Sequence, residues 1–233
     1  MDLTRRAYLP ELMDDDSVDA ATYQRCLRNL ATINLITFTH RATLNFLAAA
    51  IARLPPGQTV SILDVAYGQG DLLRAIARWA AKAGVSVRLS GIDLNPRSAI
   101  AARAATPPQH SIDYQTGDVF SYQPAAPVDF ILSSQFTHHL TDGQIVRLLA
   151  WFEETARHGW FISDLHRHGF AYYSFPLLAR LMFWHPIVRH DGQVSIARSF
   201  TRAEWQGLLA AAGSDASITW HPLFRFGIAR LKP

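Results

Sequence analysis

The stretch that most constrains this chain is Val60-Ser61-Ile62-Leu63-Asp64-Val65-Ala66-Tyr67-Gly68-Gln69-Gly70-Asp71. An apolar run that passes into two closely spaced glycines reads as a buried strand turning sharply into a helix, since glycine enters left-handed backbone without a Cβ penalty. The helix follows at once. Leu72, Leu73, Ile76, Trp79, Ala80 and Ala83 share one face, while Arg74, Arg78 and Lys82 share another. A second apolar run, Val87 to Ile92, ends at Asp93, and Pro96 opens a further helix where a missing amide does no harm. Strand, helix and strand in this order make a parallel crossover, the building unit of α/β folds.

The alternation continues. Ile112 to Gln115 is a short third strand before Gly117-Asp118, and Val128 to Ser134 is a fourth. A helix after Thr141 carries Ile145, Leu148, Leu149 and Phe152 on one side; Gly159 is expected to end it and Trp160 to Ser163 to form a fifth strand. Thr201-Arg202-Ala203-Glu204 has the form of a capping box, with Trp205, Leu208, Leu209 and Ala212 as the buried face behind it. Ser217 to Trp220 and Leu223 to Ile228, split by His221-Pro222, read as a closing antiparallel pair. The expected class is α/β, a mostly parallel seven-stranded sheet with helices on both faces and an antiparallel C-terminal strand. Residues 1–55 do not follow this rhythm. Leu27, Leu30 and Ile33, then Leu44, Leu47 and Ile51, indicate two helices, an N-terminal helical cap hinged at Pro55-Pro56-Gly57.

Composition excludes several alternatives. With 49% hydrophobic residues and one cysteine, Cys26, the chain of 233 residues is neither disordered nor a disulfide scaffold. A net charge of +3, with arginines scattered singly, argues against nucleic acid as a partner. Charges at Asp2, Arg5, Arg6, Glu11 and the run Asp14-Asp15-Asp16 interrupt any secretory lead, and that acidic run reads as a solvated helix start. The most apolar span, Gly169 to Val188, is broken by Arg180, His185 and Pro186, so no membrane insertion is expected, and a cytoplasmic location is. A homodimer is compatible with the sequence.

In open α/β sheets a ligand sits beyond the carboxyl ends of the strands, where strand order reverses. Asp93 follows Gly70 by 23 residues, and a carboxylate there can accept both hydroxyls of a ribose, which implies a nucleoside. A dinucleotide turn wants Gly-x-Gly-x-x-Gly, and this chain has Leu73 at the third place. With Asp64 ahead of the turn, the chain instead resembles the class I S-adenosylmethionine-dependent methyltransferases. The resemblance runs through Ile62 to Asp71, Gly91-Ile92-Asp93-Leu94-Asn95-Pro96, Gly117-Asp118-Val119-Phe120 and Asp129 to Ser134, into His138-His139-Leu140. It implies a Rossmann-like fold over residues 56–233 and S-adenosyl-L-methionine as cofactor. Asp64, Ala66, Gly68 and Gly70 would lie against its methionine part, Asp93 on the ribose, Leu94 on the adenine, and Asp118 and Val119 at the adenine edge. Ser134, at the end of the fourth strand, joins the expected cofactor contacts. Arg41, between the two N-terminal helices, either pairs with the methionine carboxylate or makes a structural ion pair. The family usually has glycine then cysteine where this chain has Ala66 and Tyr67. Either both side chains point away from the cofactor, or Tyr67 covers it and meets the acceptor, or cofactor use is altered.

Methyl transfer to a hydroxyl needs a base, and histidine suits the task near neutral pH. Two groups stand at strand ends: His138-His139, and Asp164-Leu165-His166-Arg167-His168. Neighbours on a helix point about 100° apart, so at most one of His138 and His139 should face the site. His139 and His166 are the candidate bases, with a hydrogen-bonded packing role as the alternative for each; His138 is a candidate acceptor contact. Asp164 orients a histidine or caps the next helix. His166-x-His168 is a poor chelate without further ligands, so no metal is expected. Phe170, Tyr172, Tyr173, Phe175, Phe183 and Trp184 crowd one segment. They are core, or they line a hydrophobic pocket for a small hydrophobic or aromatic acceptor, with Phe170 and Tyr173 as candidate contacts in a helical insertion around 165–200. Asp164 to Arg167, and later Arg189-His190-Asp191-Gly192 with Ser195, resemble a bacterial small-molecule subgroup associated with polyketide or phenolic products. The expected function is O-methylation of a hydrophobic phenol, quinol or polyketide-like compound. The alternatives are methylation at a ring carbon, a non-methylating cyclisation or elimination, and a non-catalytic partner of a biosynthetic enzyme.

Overall fold

A computed structural model describes residues 1–15 and 17–232 of the chain; Asp16, part of the expected helix start, lies outside the described residues. Strands β1 (Val60–Val65), β2 (Val87–Asp93), β3 (Ile112–Thr116), β4 (Val128–Ser134), β5 (Ala156–Leu165), β6 (Ser217–His221) and β7 (Arg225–Leu231) form one sheet. Its order is β3-β2-β1-β4-β5-β7-β6, as a mostly parallel seven-stranded α/β fold requires. The first five strands pair in parallel, and β7 runs antiparallel to both β5 and β6. Strand order reverses between β1 and β4. The chain leaves those two strands in opposite directions, so a crevice opens above their carboxyl ends.

Apolar alternation along the strands feeds two cores. Ile62, Phe130 and Leu132 pack beneath helices α2 (His40–Ile51) and α3 (Asp71–Ala83), through Leu47, Leu72 and Ile76. On the other face Leu63, Ile131 and Ile162 meet Ile145, Leu148 and Phe152 of α5 (Asp142–Thr155) and Trp205 and Leu209 of α8 (Arg202–Ala211). Each such side chain contributes about 1.5–3 kcal/mol by leaving water. Both α5 and α8 open on full capping boxes, Thr141 with Gln144 and Thr201 with Glu204.

Three boundaries differ from the sequence expectation. Helix α5 stops at Thr155, and Gly159 lies inside β5, where a Cβ would run into the Arg230 carbonyl of β7. Glycine there permits close strand approach and does not mark a helix end. Leu223 does not start the last strand; with Phe224 it forms the hairpin turn, at φ 65° and 58°. Asp14 and Asp15 do not begin a helix either. Leu12–Asp14 is a 3₁₀ turn whose Leu12 and Met13 amides donate to the Asp191 carboxylate at 2.8 and 2.9 Å, and α1 (Ala20–Ile36) starts later on an Asp19 cap.

The segment between β5 and α8 holds α6 (Gly169–Leu181) and α7 (Pro186–Arg198). Helix α1 packs on it through Cys26 and Ile33 against Ala179, Trp184 and Val188, and on α4 (Pro96–Ala105) through Tyr23, Leu27 and Ala101. Residues 1–15 form a strap held to α7: the Ala7 amide donates to the Ala197 carbonyl, and buried Arg6 donates to Asp142 and to the Arg198 and Leu140 carbonyls. Among the described residues no helix is long and apolar enough to cross a membrane.

Candidate active site

A cavity of about 1300 Å³ opens over the carboxyl ends of β1, β2, β4 and β5, roofed by α1, α6, α7 and the strap. Its first wall is the turn after β1. Ala66, Gly68 and Gly70 all take left-handed backbone, at φ 61°, 53° and 72°. This curls the Gly68 amide onto the Asp93 carboxylate, 2.8 Å away, while the other Asp93 oxygen accepts from the Asn95 amide at 2.9 Å. Burial raises the Asp93 pKa, opposed by these two amides. A carboxylate has about four acceptor sites, so with these amides and the Ser98 hydroxyl at least one stays open.

Ala66 therefore adopts the conformation that glycine would take more cheaply, and Tyr67 beside it is buried at the floor of the cavity. The Tyr67 ring is 3% exposed, lies 5.0 Å from the Tyr114 ring, and would stand 2.5 Å from a Cβ at Gly91. It packs in the core and also borders the cavity, with its hydroxyl buried and unpartnered. Gly70 stands behind the wall, where a Cβ would strike Tyr114.

Deeper in the crevice Asp64 is buried with Oδ1 unpartnered, and its pKa lies well above the usual value because of burial, then the charges of Asp71 and Asp93. Asp71 is different. Burial pushes its pKa up, but His40 Nε2 at 2.9 Å and Asn34 Nδ2 at 3.0 Å outweigh this and hold it down. Asn34 in turn accepts from Gln135 at 2.6 Å, so one network ties the end of β4 to the helical cap and the glycine turn. Residue-by-residue reading missed this network; its one signal was a carboxylate directly after the turn. Leu94 (73% exposed), Asp118 and Val119 border the same cavity, with Asp118 Oδ1 accepting from the Phe120 amide. Ser134 also borders it, its hydroxyl buried without a partner. Arg41 is exposed and lies outside the cavity wall; the arginines found there are Arg97 and the buried Arg225.

The opposite wall gathers the histidines. His138 Nδ1 lies 2.7 Å from Asp164 Oδ1, both side chains buried, and the His138 amide and Thr137 hydroxyl donate to the other oxygen. Burial would raise the Asp164 pKa, yet His138 and Thr137 hold it below the usual value. The free Nε2 of His138 is 3.7 Å from Glu11 Oε1, and His139 Nε2 is 3.8 Å from the same oxygen. His139 Nδ1 also lies 3.5 Å from Asp14. Burial lowers the His139 pKa, but Asp14 and Glu11 more than compensate, and the net shift is upward. The expectation that at most one of these histidines faces the site does not hold. Both border the cavity, because they sit in a 3₁₀ turn, Thr137–His139, with rings 4.4 Å apart.

Glu11, His138 and His139 also form a metal-capable trio, with ligand atoms within 4.8 Å of one another, which the sequence reading did not foresee. Arg198 stands 4.0 Å from Glu11, and Arg198 and Arg6 both donate to the His138 carbonyl. Two guanidinium groups against the cluster suit proton sharing better than a cation.

His166 and His168 do not converge; their rings are 5.5 Å apart. His166 borders the cavity with Nδ1 buried and unpartnered, its pKa lowered by burial, then by His168 and Arg167. His168 is exposed, stacks on Phe224 and caps α6 at the Phe170 amide. Phe170 borders the cavity, whereas Tyr173 is exposed outside it and packs on Tyr172.

Comparison with known proteins agrees with this arrangement. A family profile described as a methyltransferase domain matches residues 62–159. No curated protein matches the sequence. Among solved structures, human N-acetylserotonin methyltransferase in complex with S-adenosylmethionine superposes with a TM-score of 0.63 at 18% identity, over 92% of this chain and 56% of that one. This chain thus spans little more than half of that protein. The plantazolicin methyltransferase BpumL, in complex with a triazolic desmethylPZN analog and S-adenosylhomocysteine, gives 0.65 at 15% identity over 90% and 91% of the two chains. A structure described as a pericyclic reaction enzyme gives 0.57 at 18% identity over 80% and 47%. At these identities the likeness is one of fold. Sheet order, glycine turn and matched segment define the class at the level of fold: the chain has a Rossmann-like methyltransferase fold, residues 62–159 match a methyltransferase-domain profile, and the first two of these similar structures hold S-adenosylmethionine or S-adenosylhomocysteine as cofactor.

The cavity suits that cofactor on its own chemistry. A carboxylate with an open acceptor site stands at Asp93, the turn has backbone open to close approach, and buried polar atoms at Asp64 and Ser134 lack partners.

Proposed function

We propose that this chain moves the methyl group of S-adenosylmethionine to a hydroxyl of a small hydrophobic acceptor, a phenol, quinol or polyketide-like compound. One observation carries the reading: the buried His138–Asp164 pair at 2.7 Å, with His138 bordering the same cavity as Asp93. The bound cofactor would supply a methyl carbon on a positive sulfur, an electrophile that needs an aligned nucleophile. Asp93 and the Gly68 turn hold the ribose, Leu94, Asp118 and Val119 flank the base, and Asp64 and Ser134 face the amino-acid end. Leu27, Leu30, Phe170, Phe175 and Val188 give the acceptor an apolar enclosure that excludes water. Holding the hydroxyl close and in line supplies most of the acceleration.

His138 removes the acceptor proton. Asp164 accepts the Nδ1 hydrogen, which fixes the tautomer with its lone pair on Nε2, and its charge then stabilises the imidazolium. His139 is a weaker candidate base because its acidic neighbours keep it protonated to higher pH. His166, kept neutral by burial, is the second candidate.

Mass spectrometry of a lipophilic phenol panel incubated with S-adenosylmethionine tests the proposal: a gain of one methyl unit is expected, and its absence across the panel defeats it. Carbon–proton correlation spectra of the product separate oxygen from ring-carbon methylation. A substrate that isomerises or cyclises without gaining mass would favour the non-methylating alternative. That alternative draws on Ala66 and Tyr67, both of which border the cavity.

A further inference from the structure

Four arginines of the chain are buried, and three of them are satisfied within the protein. Arg6 donates to Asp142 and to backbone carbonyls, Arg74 to the Gln69 carbonyl, and Arg167 to Glu204 and the Leu3 and Ser199 carbonyls. Arg225 is the exception. It is 5% exposed, its Nε has no partner, and it holds only the Thr37 hydroxyl at 2.9 Å and the carbonyl of nearby Leu223 at 3.4 Å. The nearest acid in the strand register, Asp164, is engaged by His138 and Thr137. Burial pulls the Arg225 pKa down to about 10, the mark of a cation that has left water with too little in return. Of the four, Arg225 alone borders the cavity.

We infer that Arg225 is the counter-ion of a carboxylate that enters the cavity with one of the two reactants. A guanidinium presents a planar fork that matches a carboxylate, and an unpartnered Nε leaves one prong free. A monoanion fits better than a phosphate, because Asp64 and Asp71 border the same cavity and would oppose a second negative charge. The carboxylate has two sources. One is the amino-acid end of the cofactor, since Thr37 adjoins the Asn34–Asp71–His40 network at the glycine turn. The other is an acid group on the acceptor, as in a 2-hydroxybenzoate. The inference deepens the proposed function and rests on that reading of the cavity.

Calorimetry on the full chain and on Arg225→Met and Arg225→Gln tests it. The probes are S-adenosylhomocysteine, 5′-methylthioadenosine, which lacks the amino-acid portion, and 2-hydroxybenzoate with its methyl ester, titrated onto the homocysteine complex. If the cofactor brings the carboxylate, both variants lose about 10- to 100-fold in S-adenosylhomocysteine affinity while 5′-methylthioadenosine is unchanged. If the acceptor brings it, the same loss falls on 2-hydroxybenzoate, with the ester and S-adenosylhomocysteine unchanged. The inference is overturned if the variants bind S-adenosylhomocysteine and 2-hydroxybenzoate as the parent does, or weaken every probe alike. A parent chain that binds neither nucleoside defeats the proposed function itself and this inference with it. A parent that binds both, beside unchanged variants, defeats only the inference.

Discussion

The two walls of the cavity are built differently. The cofactor wall comes mainly from one continuous stretch, residues 64–134, in which each contact follows from the local path of strand and turn. Gly68 reaches Asp93 because a left-handed turn curls over the neighbouring parallel strand. The acceptor wall is assembled from the strap, α1, the 3₁₀ turn at His138, α6, α7 and the last hairpin. Its defining contacts join Glu11 to His138 and Thr37 to Arg225, pairs far apart in sequence. The first wall is a property of a motif and the second of a whole fold, so they should fail independently.

The sharpest test of that separation is His138→Ala. Turnover should fall about 100- to 10,000-fold, the usual value of a positioned base, with S-adenosylhomocysteine affinity unchanged. Asp164→Asn should do nearly as much by releasing the ring. Equal losses in affinity and turnover would mean that the walls are one unit. The converse is Asp93→Ala, expected to weaken S-adenosylhomocysteine binding by about 1.5–3 kcal/mol, read by calorimetry on a variant whose circular dichroism matches the parent.

A smaller effect concerns the floor of the first wall. Gly91→Ala would press a methyl group against the Tyr67 ring, and thermal unfolding should report a loss of about 1–3 kcal/mol. A neutral result would show the ring free to move. The smallest concerns the strap. His139 is held above its ordinary pKa of 6.5, so its contribution is full below that value and fades as pH rises through the higher folded value. Asp14 is held below 3.8, so its share fades only as pH falls through the lower folded value. His139→Gln should therefore cost about 0.2–1 kcal/mol near pH 6, since the pair is partly exposed, and nothing in alkaline solution. A constant difference across this range would remove the ion pair from the account.

How far the sequence could be read follows the same division. The strands, the glycine turn, Asp93 and both capping boxes were legible because each is a pattern within a few residues. Gly159 misled because a glycine that admits a neighbouring backbone looks, in sequence, like one that ends a helix. Tyr67 was ambiguous because alternation along a strand does not carry through a left-handed turn. Arg41 stands between two helices in sequence, yet the buried cation on the cavity comes from β7, and no local pattern links residue 225 to Thr37. Asp14 and Asp15 are exposed, as the sequence suggests, but the contact of Asp14 with His139 was not legible because the two lie more than a hundred positions apart.

The docking of the strap on α7 bears on handling as well as on chemistry. A protease cut or an added tag near Leu9 would act as an active-site lesion, although nothing in the glycine turn is touched. Such a preparation would still take up nucleoside and pass a ligand-binding assay, yet fail to turn over.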